Sequence, residues 1–166
     1  MKKRDFDIAF RGLALGQHEF QYDLDDTFFT LFEYSDYRGL RGTTELKMLK
    51  SETVLDLELH FAGSIEVPCD ITNEMYTQVL KNSFVMQIKF GDEYNDENEE
   101  LLILPHGNYQ FNAAQMLYEL VVLSIPSKLL GPNAGNGLED LIEEEEDETE
   151  EKTDPRWDQL KNLLNK

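Results

Sequence analysis

The strongest constraint on how this chain folds is a run in which Leu55, Leu57, Leu59 and Phe61 alternate with Asp56, Glu58 and His60. Apolar residues at every second position put all of their side chains on one face of an extended strand and leave the polar ones on the other. The parity continues through Ile65, Val67 and Cys69, and Phe84, Met86, Ile88 and Phe90 repeat it against Gln87 and Lys89. The spacing predicts long strands with one face in a core and one in water.

Other stretches follow the same rule. Phe6, Ile8 and Phe10 alternate with polar or small residues, as do His18, Phe20, Tyr22 and Leu24, and Gly12 and Gly16 lie between the two runs, which reads as a first hairpin. Pro68-Cys69-Asp70-Ile71-Thr72-Asn73 separates two alternating runs and reads as a hairpin tip, because Asp and Asn side chains bond their own backbone in turns. The return strand from Met75 is expected to be long and to bend near Asn82-Ser83, and Leu101–Leu104 reads as a short buried strand.

Helical spacing interrupts this pattern twice. A capping carboxylate at Asp25 or Asp26 precedes Phe28, Phe29, Leu31 and Phe32. Asn112 with Gln115 makes a capping-box-like start before Met116, Leu117, Leu120 and Val121, and Pro126 marks the end. The expected class is α+β, mainly an antiparallel β-sheet or partly open barrel with two packed helices.

Charge divides the chain. Of 166 residues, 34 are Asp or Glu and 15 are Lys or Arg, a formal net charge of −19. Ten of the thirteen residues from Glu139 to Glu151 are acidic, which leaves 24 acids against 15 bases elsewhere. A block that repels itself and cannot bury apolar surface reads as a linker that either solubilises or attracts a basic partner. Residues 1–130 are the expected folded domain, 131–153 a Gly-rich and then acidic linker, and 154–166 a C-terminal amphipathic helix. In that last segment Asp154 suits the cap and Pro155 the first turn, while Trp157, Leu160 and Leu164 share a face beside Arg156. These four residues are a candidate partner-binding surface, although the same stripe would also serve to close the protein's own core.

The chain resembles the YceD family, a domain of unknown function linked to accumulation of large-subunit ribosomal RNA. The resemblance is carried by the early Gly-rich turn, Asp25-Asp26-Thr27-Phe28-Phe29, Gly63 through Cys69-Asp70, Leu123-Ser124-Ile125-Pro126 and Asp154-Pro155-Arg156-Trp157. It implies a non-enzymatic, bacterial ribosome biogenesis factor whose partners are ribosomal proteins or large-subunit assembly intermediates. Many relatives carry a second cysteine where this chain has Thr72, so half of a metal knuckle is missing and neither metal nor cofactor is expected.

A cytosolic, reducing location is expected from the single cysteine and from Asp5, Asp7 and Arg11, which interrupt any apolar segment after the basic start. No stretch approaches membrane-spanning length. No nucleophile-base spacing or phosphate loop points to an enzyme. The acidic group from Asp92 to Glu100 lacks the spacing of a calcium loop and reads as a solvated hairpin loop. Arg38, Arg41, Lys47 and Lys50, preceded by Tyr34 and Tyr37, form a candidate contact for ribosomal RNA. In that alternative the chain is an RNA-binding module that its own acidic tail holds inactive.

Overall fold

A computed structural model of the chain describes residues 1–98 and 100–135. The expected acidic linker from Glu139 and the helix over 154–166, with Trp157, Leu160, Leu164 and Arg156, lie outside the described residues.

After a turn of 3-10 helix at Lys3–Phe6, the elements run β1 (Asp7–Ile8), β2 (Gly16–Asp25), α1 (Asp26–Thr30), β3 (Arg38–Lys50), β4 (Val54–Pro68), β5 (Met75–Gly91), β6 (Asn95–Asn98), β7 (Leu101–Pro105), β8 (Phe111–Asn112) and α2 (Ala114–Val122). Six strands form one sheet in the order β2-β3-β4-β5-β7-β6, and β1 pairs with β8 in a separate two-stranded ribbon. The sheet is open. Its two outer strands, β2 and β6, do not pair with each other.

The alternation of β4 is realised as read. Leu55, Leu57, Leu59, Phe61, Ile65 and Val67 are buried on one face, together with Leu46 and Met48 of β3 and Leu80, Met86 and Ile88 of β5. Phe6, Ile8, Phe10, Phe28, Phe29, Leu117, Leu120 and Val121 complete this core. At the N-terminus of α1, Asp25 Oδ1 accepts from the Thr27 amide at 2.9 Å, which identifies Asp25 as the cap. Asp26 then reaches across to β3, where its Oδ1 accepts from the Leu40 amide at 2.8 Å. Leu40 follows Gly39, whose φ of 71° marks a register shift between Arg38 and Arg41.

Four readings need correction. Phe6, Ile8 and Phe10 are buried, but they do not form a hairpin with β2. Two 3-10 turns flank β1, which pairs Ile8 with Phe111. The sheet is mainly antiparallel, as expected, but it is mixed, because β7 lies parallel to β5 from Gln87↔Leu101 to Gly91↔Pro105. Part of the acidic stretch after Gly91 is therefore an edge strand, β6, antiparallel to β7. Lastly, β5 keeps its alternation from Met75 through Lys89 and pairs with β4 without interruption past Asn82. Asn82 does not interrupt the strand, and its side-chain amide donates to the Leu120 carbonyl of α2 at 3.2 Å.

The start of α2 uses half of the expected capping box. Asn112 Oδ1 accepts from the Ala114 amide at 3.0 Å, whereas Gln115 donates to Glu119 one turn later at 2.7 Å instead of reaching back. No helix among the described residues is long and apolar enough to cross a membrane.

Candidate functional site

Strand geometry decides what the basic residues of β3 can do together. They are close in sequence, yet an extended chain rises about 3.3 Å per residue, which places Arg38 and Lys50 roughly 40 Å apart. Arg38, Arg41 and Lys47 share the outer face, opposite Glu66, Ser64 and Glu58 of β4 respectively. Lys47 also faces Glu19 of β2, so carboxylates flank it on both sides. Lys50 has the opposite parity. Its Nζ donates to the carbonyls of Phe10 at 2.9 Å and Leu13 at 2.5 Å, tying the N-terminal segment to the end of β3.

The tyrosines before this strand are also engaged. Tyr34 packs on Phe29 with ring centroids 4.9 Å apart and meets Tyr118 edge-on at 5.9 Å. Burial, aided by the nearby Asp36, pushes the Tyr34 hydroxyl up to about 12. Phe32 stacks on Tyr118 at 4.3 Å, and the Lys3 ammonium sits 5.2 Å from the Phe32 ring centroid. Sequence spacing gave no sign of this group, because it joins aromatic residues of two distant segments, 29–34 and 118, with Lys3 of a third.

The outer face of the sheet carries an excess of acids. Cross-strand pairing puts Glu19 and Asp23 of β2, Glu45 of β3, and Asp56, Glu58 and Glu66 of β4 on that side. Arg38, Arg41, Lys47, Lys81 and Lys89 are the cations among them. Met75, Val79 and Val85 of β5 are exposed on the same face.

At the far end of β4 the hairpin tip holds the following chain. Asp70 makes two bonds with Leu129: its amide donates to the Leu129 carbonyl, and its carboxylate accepts from the Leu129 amide, both at 2.7 Å. Asn133 adds a bond to Glu74 at 3.1 Å. The Cys69-Asp70 motif is thus a structural clamp between the tip and residues 129–133.

Cys69 is buried within this clamp. The Thr72 hydroxyl, followed by the backbone amides of Thr72, Gly131 and Ile71, favours the thiolate and lowers the thiol from 9.0 to about 7. Burial opposes the shift. Thiolate absorbance is expected to titrate near pH 7, and Thr72→Val should move that midpoint upward by removing the largest cause. An unchanged midpoint would assign the shift to the amides alone. The sign of the linkage is that of a depressed acid: the stabilisation is complete above the unfolded thiol's pKa and is lost as pH falls through 7.

One concavity is an open cleft of about 370 Å³ lined by Phe10, Arg11, Lys50, Glu52, Phe90 and His106 among others. No group of three His, Cys, Asp or Glu side chains converges on a common point among the described residues. His18 instead bonds the Ala14 carbonyl, and His60 bonds Glu58.

Comparison with known proteins gives one match. The family model described as Large ribosomal RNA subunit accumulation protein YceD matches residues 57–164, more than half of the chain. The match begins within β4, so β2, α1 and β3 precede it. No curated protein and no solved structure matches the chain.

Proposed function

The chain belongs to the YceD family, and on that premise we propose that it is a non-enzymatic ribosome biogenesis factor that supports accumulation of large-subunit ribosomal RNA. The family match carries this reading. The proposed partners are basic ribosomal proteins or assembly intermediates of the large subunit. Two features of the chain support them over naked RNA: the excess of carboxylates on the outer sheet face, and the ten acids between Glu139 and Glu151. In this scheme the acidic run steers a basic protein, while Trp157, Leu160 and Leu164, with Arg156, supply the anchor.

The intact chain should recover large-subunit ribosomal proteins in an affinity purification, and a chain ending before Glu139 should recover markedly less. Recovery should fall at higher salt where steering dominates. A depletion strain should show reduced large-subunit ribosomal RNA. Normal RNA levels and normal subunit profiles in that strain would overturn the proposal.

A further inference from the structure

The sheet ends on one side in a strand whose hydrogen-bonding groups are unused. The Ser51 amide donates to the Val54 carbonyl at 2.9 Å, so Ser51 and Val54 face each other as a hydrogen-bonded pair across the β3–β4 turn. Antiparallel ladders alternate bonded and non-bonded pairs. From that turn, Leu49, Lys47, Glu45 and Thr43 bond to β4, and the even-numbered residues of β3 bond to β2. Their partners on β2 are Gly16, His18, Phe20, Tyr22 and Leu24. The amides and carbonyls of Gln17, Glu19, Gln21 and Asp23 therefore point away from the sheet, and they have no backbone partner among the described residues.

Natural edge strands are usually shortened, bulged, or guarded by Lys or Pro. The opposite edge follows this rule, since β6 has four residues, all exposed, with an irregular register. In contrast, β2 has ten residues in unbroken register with β3 and contains neither Lys nor Pro. Its outward face alternates Gln17, Glu19, Gln21 and Asp23, and its inward face leaves Phe20 and Tyr22 half-buried.

We propose that β2 is a docking edge that accepts an extended basic segment of a partner protein as a seventh strand, with cationic side chains facing Glu19 and Asp23 and apolar ones covering Phe20 and Tyr22. Main-chain bonds supply affinity and the alternate side chains supply selectivity, as in other strand additions. A second copy of the chain fits less well, because antiparallel pairing centred on Gln21 sets Glu19 against Asp23 twice. The run from Glu139 to Glu151 is excluded as occupant by like charge. The inference gives the proposed contact with basic ribosomal proteins a place, and in that respect rests on it, but its test uses no ribosomal component.

The probe is a labelled ten-residue peptide of alternating Lys and Val, added to the full chain. Binding is followed by fluorescence anisotropy and by hydrogen exchange of individual amides. The amides of Gln17, Glu19, Gln21 and Asp23 should exchange rapidly in the free protein and become protected with the peptide. Gln21→Pro removes one outward N–H without touching the β3 ladder or the net charge, so it should fold and bind at least tenfold more weakly. A Glu19→Lys, Asp23→Lys double variant should show a similar loss. Protection confined to other residues, or equal affinity of Gln21→Pro, would place the peptide on the acidic run and overturn the proposal. Self-association that Gln21→Pro abolishes would overturn it in favour of a second copy. Either failure leaves the depletion experiment to judge the ribosomal role separately.

Discussion

Phe28→Ala is expected to destabilise the protein by about 3–5 kcal/mol, the range for deleting a fully buried ring that leaves a cavity. Phe28 is fully buried, and its ring lies 5.3 Å from Phe6 and 5.5 Å from Phe32. The cost should sit at the upper end for a topological reason. With five residues, α1 cannot hold its own backbone and depends on the Asp25 cap and on what it buries. Losing Phe28 also loosens Asp26, which accepts from the Leu40 amide where β3 begins. Denaturant unfolding provides the measurement: the midpoint should fall sharply with little change in slope. A loss below about 1.5 kcal/mol would mean that the helix contributes little to the core. Since domains of this kind are stable by only about 5–15 kcal/mol, the expected loss removes a large share.

What was legible in the sequence follows from how local each feature is. β4 and β5 were readable because burying one face of a strand imposes a period of two, and Leu55 to Phe61 and Phe84 to Phe90 show it without interruption. The same rule misled at Phe6, Ile8 and Phe10. All three are buried, but Phe6 and Phe10 reach that result in 3-10 turns, and the strand partner of Ile8 is Phe111, about a hundred residues away. Nothing local could have announced β6, whose Asn-Asp-Glu-Asn sequence pairs by backbone alone. Nor does local pattern say that Leu101–Pro105 enters beside β5 in parallel.

The basic residues teach a related lesson about the site. Thirteen residues hold four cations, a density that reads as a patch, yet a strand spreads them along its length and divides them by parity. Lys50 satisfies two carbonyls, and Lys47 lies between Glu19 and Glu58. Parity also placed the carboxylates of β2, β3 and β4 on one common face. Which strand would stand at the edge was not legible, because strand order depends on pairings between distant segments. The edge of β2 therefore emerges only from the assembled sheet.

Gly63→Val tests the closest approach in that sheet and is expected to cost about 3 kcal/mol, at the severe end for overpacking. Gly63 stands opposite Gly42 in a pair that the alternation from Ser51 makes non-hydrogen-bonded, the kind in which facing Cα atoms come closest. A Cβ on Gly63 would meet the Arg41 carbonyl oxygen at 2.7 Å, the Phe61 ring at 2.7 Å and the Gly42 Cα at 2.8 Å. Two of those three neighbours are backbone, so the clash is not relieved by turning one side chain. Moving the Phe61 ring would also expose an otherwise buried residue. The substitution should lower the unfolding midpoint and raise hydrogen exchange at Arg41 to Thr44 and Phe61 to Ser64, while the distant turn from Lys50 to Leu55 stays protected. A variant as stable as the parent would show that β3 and β4 can separate at this point without loss, and the glycine pair would then have no packing role.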